Sequence, residues 1–155
     1  MNKQTQFVLD KIKESGAKSV LNIGFRHDSD QTILDYCFNN LITFSVLEIY
    51  KPNCDFLASN IKISKIHNSD AKDICVLNEK WDAVIWLHGP EHVKWGDFLK
   101  MRGDIESCAN KLALYQAPEG FYPQEDIYGN VYERHVETLT EDMFGALGYG
   151  PNNFT

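Results

Sequence analysis

No run of about eighteen apolar residues, the length a helix needs to cross a bilayer, occurs anywhere in the 155-residue chain. The opening MNKQTQFVLDKIKESG is too polar for the apolar segment of a secretory signal, so the sequence predicts a cytoplasmic chain without a membrane partner. Cysteine is scarce: Cys37, Cys54, Cys75 and Cys108 lie far apart and form no C-x-x-C pair. That spacing argues against a zinc ribbon or a dithiol redox motif and predicts reduced thiols in a core. Positive charge is in deficit, with 15 Lys and Arg against 22 Asp and Glu and a formal net charge of -7. Tight binding to a phosphate backbone needs clustered cations that release counterions, so no nucleic-acid partner is expected. His88 and His92 stand four apart, but Gly89 and Pro90 lie between them and oppose a continuous helical face, so no metal site is expected either.

What is present suits a single domain over residues 1–155, because 43% hydrophobic residues in a chain of this length fill one substantial core. Phe7, Val8, Lys11 and Ile12 place a partial stripe on a helix over Gln4 to Glu14, closed by Gly16. Lys18 to Gly24 is a short apolar run ending in glycine, the pattern of a buried strand and a tight turn. Asp28, Ser29 or Asp30 can cap the next helix, Asp30 to Asn39. Further strands are expected over Thr43 to Ile49, Ile61 to His67, Trp81 to Leu87 and Lys111 to Ala117. Helical segments are expected over Asn53 to Asn60, Asp70 to Leu77, Glu91 to Cys108 (broken near Gly96 or Gly103) and Thr140 to Leu147. Five strands alternating with helices predict an α/β fold with a doubly wound, mostly parallel sheet, since right-handed crossovers put helices on both faces. Ligands of such sheets bind beyond the C-terminal strand ends, which sets the turns after Gly24, Glu48, His67 and Leu87 on one rim.

The segments on that rim resemble the class I S-adenosylmethionine-dependent methyltransferases, from about Lys18 to Gly150. Val20-Leu-Asn-Ile-Gly24 stands where the family has an acid and a glycine-rich loop, Val46-Leu-Glu48 where it has the ribose acid, and Ser69-Asp70-Ala71 where it has the adenine loop. Downstream, Ala117-Pro-Glu-Gly-Phe-Tyr-Pro-Gln124, Gly129-Asn-Val-Tyr-Glu-Arg-His135 and Leu147-Gly-Tyr resemble a branch of small methyltransferases. The resemblance implies a Rossmann-like sheet in the order 3-2-1-4-5, with the sixth and seventh strands missing or vestigial. It implies S-adenosylmethionine as cofactor, held by Asn22, Gly24, Arg26, Glu48, Asp70, Ala71 and Leu87. His88 and His135 would then face a small organic or protein methyl acceptor. Glu91 and His92 resemble a family pair that fixes local structure, and Tyr122, Tyr128 and Tyr132 belong to a loop over the acceptor.

The departure lies in the first loop, where the family's three alternating glycines become Gly24, Arg26 and Asp28, and Asn22 replaces the acid. Side chains at two glycine positions narrow the pocket or redirect the loop. Arg26 can fork onto the cofactor's carboxylate or stand unused in solvent. Asp28 and Asp30 would repel a dinucleotide pyrophosphate but not a sulfonium. The same losses motivate an alternative, a non-catalytic relative that keeps the fold as a binding or assembly module. With the last strands absent, the fifth strand is expected at a sheet edge, covered by the long loop, the C-terminal tail or a second copy in a homodimer.

Overall fold

The computed structural model describes residues 1–150. Five parallel strands form one sheet in the order β3-β2-β1-β4-β5, with β1 (Ser19–Ile23) at its centre. β2 (Thr43–Glu48) and β4 (Trp81–Leu87) flank it, and β3 (Lys65–Asn68) and β5 (Ala109–Gln116) lie outermost. The central strands are near-continuous apolar runs because both their faces are covered. One face packs Val20, Phe44, Val46, Ala83 and Ile85 under α1 (Lys3–Ser15), α2 (Asp30–Asn39) and α3 (Lys51–Leu57). The other packs Leu21, Ile23, Leu47, Val84 and Trp86 against α4 (Trp95–Ser107) and the 3-10 helix Ala71–Leu77.

Local chemistry sets the boundaries. Asn2 caps α1 by accepting from the Thr5 N–H, and Gly16 ends it in the left-handed region at φ 62°. α3 begins at Lys51, earlier than expected, because Pro52 sits in the first turn, where its missing N–H is harmless. The strand expected over 61–67 is only Lys65–Asn68: the carbonyl and side chain of Asn60 take the N–H groups of Ile63 and Lys62 in a turn, leaving Ile61 90% exposed. The helix expected over 91–108 is two pieces, a 3-10 turn Pro90–His92 and α4, and it breaks at extended Val93 rather than at Gly96 or Gly103. Thr140 does cap the last helix, α5 (Glu141–Gly145), by accepting from the Met143 N–H. Cys75 is exposed rather than in the core, with its Sγ 4.0 Å from that of buried Cys108; all four thiols are free.

β5 is a sheet edge, as expected. Residues Gln4, Phe7 and Val8 of α1 and Leu139 to Phe144 flank it, leaving a groove of about 340 Å³. The tail expected to help cover this edge lies, from residue 151 onward, outside the described residues. Among the described residues no helix is long and apolar enough to cross a membrane.

Candidate functional site

The loops after β1, β2, β3 and β4 converge beyond the C-terminal strand ends around a cleft of about 780 Å³, within the size range of small-molecule sites. Gly24, Arg26, Glu48, Asp70, Ala71, Leu87, His88 and His135 all line it. Asn22 does not: it is fully buried behind the wall, on the α2 face of β1.

The β1 loop is held from beneath. Gly24 takes φ 69°, the backbone freedom only glycine supplies cheaply, and its N–H donates to the Leu47 carbonyl. Arg26 and Asp28 do not have positive φ, so the backbone of this loop needs no glycine at either position. Phe25 anchors it by packing edge-on against Phe44 in the core. Asp30, 1% exposed, does not cap α2 as expected. Its Oδ2 accepts from the Asn22 side chain at 2.9 Å and from the Arg26 N–H at 2.8 Å, and its Oδ1 from Ser29 Oγ. Ser29, the residue preceding α2, makes no side-chain capping bond. Burial pushes the Asp30 carboxyl above its usual range, against the pull of those hydrogen bonds. An acidic side chain thus stands at the start of α2, hydrogen-bonded to Asn22.

Glu48 is 5% exposed at the end of β2. Its Oε1 accepts from the Tyr50 N–H at 2.7 Å and its Oε2 has a long 3.4 Å contact from Asn53; with two lone pairs on each oxygen, the carboxylate retains acceptor capacity. Burial raises its pKa. Asp70 caps its own 3-10 turn by accepting from the Lys72 N–H, and Ala71 follows it, buried. Together these residues build one end of the cleft.

The other end is built on the turn after β4. His88 takes a left-handed φ of 51°, which aims the chain into Gly89 and the Pro90–His92 turn. Burial, reinforced by the Arg26 charge, lowers its pKa to about 4, so its imidazole is neutral at pH 7. Glu91 is 2% exposed with Oε2 unpartnered, and burial raises its pKa to about 7. The long segment after β5 closes over this turn: the N–H groups of Val136 and Glu137 both donate to the Glu91 carbonyl, and Glu137 accepts from the Trp95 N–H. His135 therefore comes to rest with its ring 4.9 Å from that of His92. Tyr122 and Tyr132 line the cleft; Tyr128, grouped with them on sequence, is fully exposed and does not. Glu91 is the central residue that sequence reasoning passed over as structural. Its pairing with His92 was visible in the sequence, but its burial and the approach of His135 were not.

Solved structures share this fold. The methyltransferase domain of bacterial CtHen1-CN superposes with a TM-score of 0.68 at 15% identity, over 94% of this chain and 80% of that one. Magnesium protoporphyrin IX methyltransferase from Synechocystis PCC 6803, solved with bound SAM, gives 0.58 at 15% identity over 94% of this chain. The O-methyltransferase of a trans-AT polyketide synthase multienzyme from Brevibacillus brevis, in complex with S-adenosyl-L-homocysteine, gives 0.53 at 17% identity over 84% of this chain. The chain has the methyltransferase fold. It spans 66% of the second of these proteins and 46% of the third. No protein-family model and no curated protein matches the sequence.

Proposed function

We propose that this chain is an S-adenosylmethionine-dependent methyltransferase acting on a small organic or protein acceptor. The observation that carries the reading is the convergence of Gly24, Glu48, Asp70, Ala71 and Leu87 on one cleft at the C-terminal strand ends, with His88 and His135 at its far side. The cleft suits the cofactor on two counts. Among the described residues nothing lies within 4 Å of where a Cβ on Gly24 would stand, so the methionine end has room, and the Glu48 carboxylate keeps acceptor capacity for a ribose hydroxyl. Asp70 and Ala71 would flank the adenine. When bound, the cofactor supplies an electrophilic methyl group on a sulfonium. His88, held neutral, offers a lone pair that accepts a hydrogen bond from the acceptor's O–H or N–H and so aims its reactive atom. Arg26, exposed on the cleft wall with no carboxylate within ion-pair distance among the described residues, would take the methionine carboxylate.

Calorimetry with S-adenosylhomocysteine tests the site, and Glu48→Gln sharpens it. Losing the charge on a carboxylate that accepts a ribose hydroxyl removes about 1.5–3 kcal/mol, so affinity should fall roughly 10- to 100-fold with the fold intact by circular dichroism. An unchanged affinity in that variant would remove Glu48 from the site. The non-catalytic module keeps one observation in its favour: Arg26 and Asp28 stand where the family places glycine. Binding of S-adenosylhomocysteine would count against that alternative.

A further inference from the structure

Glu91, His92 and His135 offer one carboxylate oxygen and two ring nitrogens that all lie within 4.8 Å of one another. Two features of the cluster go beyond proximity. The first is that both rings are tied from behind by backbone carbonyls: His92 Nδ1 lies 3.2 Å from the Arg134 oxygen, and His135 Nδ1 lies 2.5 Å from the Tyr122 oxygen. A carbonyl can only accept, so each Nδ1 carries the proton and the ring's lone pair is on Nε2. His135 Nε2 lies 4.0 Å from Glu91 Oε1. The second is that Glu91, 98% buried, has an Oε2 with no hydrogen-bond partner. A buried carboxylate oxygen left without a donor is costly, and among the described residues no N–H or O–H reaches Oε2.

Imidazole lone pairs on rings backed by carbonyls, beside a buried acid with one oxygen lacking a donor, form the arrangement of a metal site and its supporting shell. Ligands bound at about 2.0–2.2 Å from one ion stand roughly 3–4 Å apart, so the observed spacings need only a small contraction. We propose that Glu91, His92 and His135 bind a divalent first-row transition cation, with the remaining coordination positions open to the cleft. His88, whose Nδ1 lies 3.8 Å from Glu91 Oε1, stands beside the site as a further ring nitrogen. Two imidazoles and one carboxylate favour zinc, cobalt or manganese over calcium or magnesium. Under the methyltransferase reading, on which this last step rests, the cation narrows the acceptor to one that presents an oxygen or nitrogen lone pair to a metal. The open positions would hold that atom against the methyl donor. His135 then orients the acceptor through the cation rather than by touching it.

The test uses the full chain, stripped of metal and titrated with cobalt(II). The expected result is a saturable visible absorption at one equivalent, displaced by zinc. His92→Gln and His135→Gln should each weaken uptake by at least about 10–100-fold, the loss seen when even an outer-shell partner is removed. His67→Gln, a buried histidine on β3 outside the cluster, should bind as the native chain does. Because a variant can fail to fold, the native chain is also examined by the nitrogen resonances of its histidine rings, where zinc should shift the Nε2 signals of two residues. Absence of saturable cobalt uptake by the native chain would overturn the proposal, as would full uptake by folded His92→Gln/His135→Gln. Calorimetry with S-adenosylhomocysteine in the presence of chelator separates the two ideas: binding there leaves the methyltransferase reading standing whatever the metal result.

Discussion

Gly89→Ala should lower the stability of the chain by about 3 kcal/mol or more, the upper end of what overpacking a well-filled core costs. A methyl group at this position would lie 1.6 Å from Nε1 of Trp86 and 2.1 Å from its Cδ1, far inside contact distance. Trp86 cannot step aside, because it is 6% exposed and packs its ring 6.1 Å from that of fully buried Phe98. The backbone must move instead, and Gly89 is the hinge between β4 and the turn that carries Glu91 and His92. For a domain of this size the loss corresponds to a fall in Tm of roughly 6–12 °C. Trp86→Leu in the same chain removes the atoms the methyl would strike, so the pair should recover part of the loss in a urea titration. A single Gly89→Ala chain as stable as the native one would mean that the indole does not close over this glycine.

Asn22→Asp should destabilise the fold by about 3 kcal/mol at neutral pH. Asn22 Nδ2 lies 2.9 Å from Asp30 Oδ2 in a site where both residues are almost wholly buried, so an acid there sets two carboxylates against each other. Such a pair holds on to a proton, with one folded-state pKa raised well above the unfolded value of about 3.9. The folded state then binds more protons than the unfolded one, and stability falls as pH rises. The penalty should therefore shrink as pH is lowered from 7 towards 4. Asp30→Asn in the Asn22→Asp background restores one donor and one acid in reversed places, and should bring stability back near native. If Asn22→Asp alone left the urea midpoint unchanged at pH 7, the two carboxylates would not oppose each other at the start of α2.

The pair also explains what the sequence could and could not reveal. Val20-Leu-Asn-Ile-Gly24 and Trp81 to Leu87 were legible as buried strands because burial on both faces demands continuous apolar runs, and the order of the sheet followed from the family resemblance. Asn22 read as a weakened cofactor contact because a linear reading compares each position with its own counterpart. Asp30 lies eight residues on, and its carboxylate turns inward to Asn22 instead of capping α2. Ile61 to His67 alternates like a strand, yet the hydrogen bonds of Asn60 claim its first residues for a turn. The cluster around Glu91 was harder still, because His135 reaches it only through the strap that Val136 and Glu137 tie to the Glu91 carbonyl. Spacing alone set His88 and His92 four apart, a pair that Gly89 and Pro90 argued against; the fold brings His92 against His135, from beyond β5, instead.

Arg26 lines the cleft at a position where the family resemblance places a glycine, and cofactor binding is where that difference matters. Isothermal titration of the full chain with S-adenosylhomocysteine is the most direct measurement. A cleft with Gly24, Glu48 and Asp70 in working order predicts one-to-one binding with a Kd in the micromolar range, about -8 kcal/mol. No detectable heat at millimolar ligand would contradict it and leave the fold serving another purpose.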